Sequence, residues 1–403
     1  MPVGSGGCRR VTPPTIWALE AGITFLNHGS FGACPRAVLE AQRRLLDRME
    51  REPVRFLSRE LEGLLDPARA ALAAFVGAEA DDLAFVRNAT AGVNTVLRSL
   101  TFRPGDELLT TDHAYNACRN ALNFAAGRAG ARVVVAPVPF PIDSPDQVVE
   151  AVLARVTSRT RLALLDHVTS PTGLIFPIER LVARLAARDV DTLVDGAHAP
   201  GMLPLDIAGI GAAYYAGNAH KWLCAPKGSG FLHVRRDKQP AIRPLAISHG
   251  ANSPRADRSR FHLEFDWPGT DDPTPYLTVP EAIRYMGMLL PGGWPELMAR
   301  NRGLALTARR KLCEALGVPP PCPDAMIGAL AAIPLPDATR PASASAPRRD
   351  PLQDALFERF GIEVPVALWP AAPKRLIRVS AQLYNTPAHY DRLAAALTAL
   401  LAG

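Results

Sequence analysis

Short apolar runs alternate with longer amphipathic stretches through the first two thirds of the chain. Residues 83–86, 133–136, 162–165, 192–194, 212–216 and 230–234 are largely apolar runs of strand length, and 107–111 reads as a further strand. Such runs suit strands covered on both faces. The segments 37–50, 61–76, 144–156 and 177–188 carry apolar residues at helical spacing, as does the stretch from Thr90 to about Leu100. Strands alternating with helices of this length predict a mostly parallel sheet with helices on both sides.

The pattern changes in the last third. Residues 278–316 read as helix, interrupted at Pro291-Gly292-Gly293, and 351–360 and 387–401 read as two more. Short strands are expected at 361–364 and 376–379. The Pro-rich and Ala/Ser-rich stretches 318–323 and 338–347 read as loops. With 403 residues the chain is too long for one small core. The expected organisation is an N-terminal arm or small-domain segment over 1–30, a large domain over 31–275 and a smaller α+β domain over 276–403.

In open parallel sheets ligands sit at the carboxyl ends of strands. The run 192–194 ends on Asp195, and His198 follows three residues later. The run 212–216 leads into Gly217-Asn218-Ala219-His220-Lys221. An acid, a histidine and a lysine thus all lie just past strand ends. Pyridoxal phosphate requires such a set: an amine to condense with its aldehyde, an anion at its ring nitrogen and donors for its phosphate. Lys221 is the candidate amine and Asp195 the ring-nitrogen partner. His198 would bond the ring hydroxyl, and Asn218 and His220 are donors placed for the phosphate. Lys227, in the turn Pro226-Lys227-Gly228-Ser229-Gly230, is the competing lysine.

The stretches Asp195-Gly196-Ala197-His198-Ala199-Pro200-Gly201 and Gly217-Asn218-Ala219-His220-Lys221-Trp222 resemble the class V aminotransferase family, pyridoxal phosphate enzymes of fold type I, and within it the isopenicillin N epimerase-like branch. The resemblance implies an α/β large domain with a seven-stranded, mostly parallel sheet plus a smaller α+β C-terminal domain. It also implies a shared-site homodimer and an amino-acid substrate. Residue by residue it implies the following. Thr90 and the backbone N–H of Ala91 form the phosphate cup, Thr90 being read as the helix cap. His113, with Tyr115 as the alternative, stacks on the cofactor ring. Thr169 and Ser170 stand where relatives often carry an Asn near the ring hydroxyl. Gly269 and Thr270 reach the partner subunit's phosphate. Arg378, in Arg378-Val379-Ser380-Ala381-Gln382-Leu383-Tyr384-Asn385, binds the substrate α-carboxylate, and Asn27 and His28 lie on the substrate side. An arginine suits a carboxylate because its planar fork makes two parallel bonds.

The reaction is less determined than the cofactor. Epimerisation, β-elimination or C–S cleavage, carbon–carbon bond formation and transamination all begin from the same α-carbon chemistry. A non-enzymatic binding module with this fold is the alternative of another class, and Lys221 argues against it. Cysteine desulfurases carry a nucleophilic cysteine shortly before the carboxylate arginine; residues 323–377 contain none.

Composition changes little in this picture. The net charge of +6 and a pI near 9.1 come from 45 basic residues spread along the chain, which favours anionic small ligands over nucleic acid. The six cysteines form no C-x-x-C pair, so no metal site is supported and free thiols in a reducing cytoplasm are expected. No apolar run approaches the roughly 18 residues of a membrane span.

Overall fold

The computed structural model describes residues 16–338 and 350–401. Residues 1–15 of the expected N-terminal segment, and all but residue 338 of the loop expected at 338–347, lie outside the described residues. A seven-stranded sheet forms from β1 (Leu83–Val86), β2 (Glu107–Thr111), β3 (Arg132–Ala136), β4 (Thr160–Asp166), β5 (Asp191–Gly196), β6 (Tyr214–Asn218) and β7 (Gly230–Val234). Its spatial order is β1-β7-β6-β5-β4-β2-β3. All neighbours run parallel except β7, which lies antiparallel between β1 and β6. The central strands β2 and β4 to β7 are buried almost throughout, as expected of strands covered on both faces.

Helices α1 (Arg36–Arg51) and α2 (Leu61–Val76) precede the sheet. Next come α3 (Ala89–Ser99), α4 (Asn116–Ala129), α5 (Pro145–Leu153) and α6 (Ile178–Ala186), one in each crossover from β1 to β5. In α2 the residues Leu61, Leu65, Leu72 and Val76 all face inward. Each such side chain contributes about 1.5–3 kcal/mol through burial. The cap of α5 follows from Ser144 and Gln147, whose side chains bond reciprocally to the first-turn backbone.

After β7 the chain passes through short turns to α7 (Val279–Gly287) and the 24-residue α8 (Gly293–Leu316). A second sheet then forms from β8 (Leu330–Leu335), β9 (Val366–Leu368) and β10 (Arg375–Ser380) in the antiparallel order β9-β10-β8. Helices α9 (Pro351–Phe360) and α10 (Pro387–Leu401) accompany it. Strand β8 was not expected from the sequence: Leu-Ala-Ala-Ile-Pro-Leu has no alternation and contains a proline. The chain's start is tied to its end, since Thr24–Phe25 pairs in parallel with Ile362–Glu363. No helix among the described residues is long and apolar enough to cross a membrane.

Candidate active site

The carboxyl ends of β4, β5 and β6 and the turn after β1 surround a cavity of about 320 Å³. Thr90, Tyr115, Ser170, Asp195, His198, Asn218, His220 and Lys221 all line it. The chemistry-bearing residues predicted at separate strand ends therefore meet in one place.

Lys221 is half-buried, and desolvation of its amine brings its pKa down to about 8 against the partly opposing charge of Asp195. Its Nζ lies 3.2 Å from His198 Nε2. The other ring nitrogen of His198, Nδ1, receives the indole N–H of Trp222 at 3.3 Å. An acceptor at Nδ1 places the neutral ring's proton on Nε2. The Nε2–H then donates to a neutral Lys221 amine. Burial and the adjacent Lys221 keep His198 well below the usual histidine range, so the ring is neutral. The pair therefore presents a nucleophilic amine and an imidazole N–H, which suits a ring oxygen.

The backbone of Lys221 is braced from the loop Leu26–Gly32. His28 donates from Nε2 to the Lys221 carbonyl at 3.0 Å, while its Nδ1 accepts from Tyr384 and from the Ala33 amide. Gly32 has φ +72°, and a Cβ there would stand 2.3 Å from the His220 carbonyl oxygen. Only glycine fits that approach. Lys227 Nζ donates to the Gly32 carbonyl at 2.6 Å. Lys227 lines the cavity as well, but it is spent as a tie between loops.

Asp195 accepts the Ala197 amide at Oδ1 and the Cys118 thiol at Oδ2, each at 3.0 Å. Asp166 lies directly beside it, paired in register across β4 and β5. Burial and the Asp195 charge push the Asp166 carboxyl well above the usual range. The sequence reading missed Asp166. Its signal was the one that found Asp195, an apolar run ending on aspartate.

The cap of α3 is Asn88 and not Thr90, because the Asn88 side chain accepts the Ala91 amide at 2.9 Å. The Ala89 amide goes to Asn218 Oδ1 at 2.8 Å. This corrects the expectation for Ala91, whose N–H is taken and which lines a different cavity. Thr90 remains the first-turn residue at the cavity whose amide and hydroxyl make no bond among the described residues. A helix start with such a free donor favours a phosphate. His220 spends Nδ1–H on the Ser229 carbonyl at 3.0 Å, and burial lowers it to about 4. It becomes a phosphate donor only when an anion beside it draws a proton onto Nε2.

Several further expectations are corrected. His113 does not reach the cavity. Its Nδ1 meets Thr172 Oγ1 at 2.7 Å, its Nε2 meets the Val138 carbonyl at 3.0 Å, and its ring packs 4.5 Å from that of Trp369. Tyr115, two residues on, lines the cavity instead. Thr169 is fully buried and holds its own turn through Thr172 and the Leu174 amide. Asn27 is paired with Glu363 and Ser30, and His28 is fully buried in the loop brace. From that loop it is Ser30 and Phe31 that line the cavity. Gly269 and Thr270 border a separate cavity of about 220 Å³ together with Arg87, which borders both.

Arg378 is buried on β10. One terminal nitrogen donates to the Ser170 carbonyl and hydroxyl, and the other donates to Ser30 Oγ at 3.0 Å. Its Nε has no partner, and no carboxylate pairs with it among the described residues. Burial lowers it to about 10. A buried guanidinium held only by neutral oxygens is short of a counter-charge, which an α-carboxylate supplies.

These residues fit pyridoxal phosphate on four counts: an amine brought down to about 8, a carboxylate at a neighbouring strand end, a neutral imidazole N–H and an open helix start. The family pattern described as "Aminotransferase class-V" matches residues 25–285. The chain belongs to this family of pyridoxal phosphate enzymes. It is 39% identical to an isopenicillin N epimerase of Amycolatopsis lactamdurans, over 96% of this chain and 99% of that one. It is 31% identical to a putative L-cysteine desulfhydrase 1 of Oryza sativa subsp. japonica, over 95% of this chain and 84% of that one. In three dimensions it is similar to a lysine-to-alanine variant of C-DES with glycine covalently linked to its pyridoxal phosphate cofactor. The TM-score is 0.78 at 22% identity, covering 94% of this chain and 97% of that one.

Proposed function

We propose that this enzyme acts at the α-carbon of an amino acid and inverts its configuration, in the manner of the isopenicillin N epimerases it resembles. The observation that carries this reading is the placement of two proton-handling groups about one cavity. Lys221 follows β6, on one side of the Asp195 strand. Tyr115 follows β2, on the other side, with β4 between.

Bound in this cavity, pyridoxal phosphate would supply a sink for the electron pair left at the α-carbon. Lys221 would hold it through its amine, Asp195 at the ring nitrogen, His198 at the ring hydroxyl, and Thr90, Asn218 and His220 at the phosphate. Arg378 orients the substrate by its carboxylate. Lys221, its amine brought down to about 8, takes the α-proton in its neutral form. Tyr115, 43% exposed, stays protonated because partial desolvation and the nearby Asp195 charge raise its phenol further. It delivers a proton to the opposite face. We take the working protein to be a cytoplasmic homodimer in which Gly269 and Thr270 complete the partner's phosphate site.

C–S cleavage is the second reading, favoured by the desulfhydrase relatives. Turnover in deuterated water separates the two. Inversion requires deuterium at Cα of both enantiomers, with no loss of the side chain. Tyr115→Phe is expected to keep exchange with retention and to lose inversion by at least about 100-fold, within the usual contribution of one acid–base group. Release of a keto acid and a thiol in place of inversion would establish a lyase instead.

A further inference from the structure

A second cavity, of about 560 Å³, adjoins the first and shares Tyr115 and Ser170 with it. Arg378 forms part of its wall. A substrate held by Arg378 would therefore border this cavity. The cavity is larger than the cofactor cavity, so it has room for more than a methyl or thiol group.

Its walls are of two kinds. Pro171, Pro365, Ala367, Leu368 and the ring of Trp369 are apolar. Arg119 supplies a positive charge. It stands one turn along α4 from Tyr115, and its amide bonds to the Tyr115 carbonyl at 2.9 Å. Residues at this spacing lie about 5–6 Å apart on one helix face.

The Arg119 guanidinium makes no hydrogen bond or ion pair among the described residues, and its Nε is buried without an acceptor. The Trp369 indole N–H is likewise buried and unpartnered. This contrasts with Arg87, Arg132 and Arg159, each of which meets a carboxylate within 2.8 Å. Leaving donors unpaired costs stability unless a ligand completes them. Asp112 also borders the cavity, but its Oδ1 accepts the Val138 amide at 2.9 Å and it forms no ion pair with Arg119.

We propose that Arg119 is a specificity residue for a second anionic group, a carboxylate carried on an aliphatic side chain of the amino-acid substrate. The proposal rests on the α-amino-acid reading above. The two arginines then bind the two ends of one substrate, Arg378 the α-carboxylate and Arg119 the distal one, with the methylenes between them against Trp369 and Leu368.

Binding to the holoenzyme tests this, read as the change in its visible absorption. The ligands are L-2-aminoadipate, L-norleucine and L-ornithine, which differ at the end of the side chain. Aminoadipate is expected to bind at least about tenfold more tightly than norleucine, the loss typical of one charge-assisted pair. Arg119→Gln should abolish that preference and leave norleucine binding unchanged. Arg119→Lys should retain part of it. Equal binding of norleucine, tighter binding of ornithine, or a preference that survives in Arg119→Gln would overturn the proposal. So would an equal loss for all three ligands in both variants, which would make Arg119 structural. The readout needs no turnover. A preference without α-proton exchange would therefore sink the epimerase reading and leave this one standing.

Discussion

Lys221 does its work through its neighbours. A lysine in water is an ammonium ion near neutral pH and neither condenses with an aldehyde nor takes a proton. Here burial brings the amine to about 8, and Trp222 fixes the His198 tautomer so that an N–H, not a lone pair, faces it. The sign of the resulting pH dependence follows from a lowered amine value. Below about pH 8 the amine protonates and attack slows; above it the amine is free and the rate levels. Reconstitution of the cofactor-free enzyme with pyridoxal phosphate, followed as growth of the visible band, should rise with pH and flatten above about 8. A rise continuing toward 10.5, the ordinary lysine value, would mean that Lys221 is solvated like any surface lysine.

Elements were more legible than side-chain directions. The runs ending at Asp166 and Asp195 were readable because a doubly covered strand is mostly apolar. For the same reason the acid at its end stands out. Where a polar residue points after a strand end is another matter, since it depends on the turn. In Asp112-His113-Ala114-Tyr115 the backbone carries His113 under Trp369 and Tyr115 into the cavity, and both readings fit the sequence equally. Thr169 turns inward to hold Leu174, while Ser170, its neighbour, meets Arg378. The cap of α3 shifted by two residues because Asn88 and Thr90 are both good caps and Asn218 decides between them by taking the Ala89 amide. The tie of Gly32 to the Lys221 loop was beyond the sequence, because it joins positions nearly 200 residues apart.

At the scale of the molecule, the chain's N-terminal loop, its seven-stranded sheet and its C-terminal sheet each contribute to one site: Ser30, Lys221 and Arg378 come from three distant parts of the sequence. The Gly269–Thr270 loop alone stands apart, at a neighbouring cavity that shares Arg87. If that loop serves a second copy's phosphate, mixing two inactive variants should restore turnover. Lys221→Ala and a Gly269/Thr270 variant, unfolded and refolded together, should show more activity than the sum of the two alone. No complementation, or a monomer by light scattering, would confine the site to one chain.

The central claim is that Lys221, and not Lys227, carries the cofactor. Both line the same cavity, so proximity does not separate them. What separates them is that Lys227 is tied to the Gly32 carbonyl, while Lys221 faces an imidazole N–H. Borohydride reduction of the holoenzyme, followed by proteolysis and mass spectrometry, locates the attachment directly. The account predicts the pyridoxyl mass on the peptide bearing Lys221, and none on Lys227. A label on Lys227 would contradict it, and with it the role of Lys221 as the base at the α-carbon.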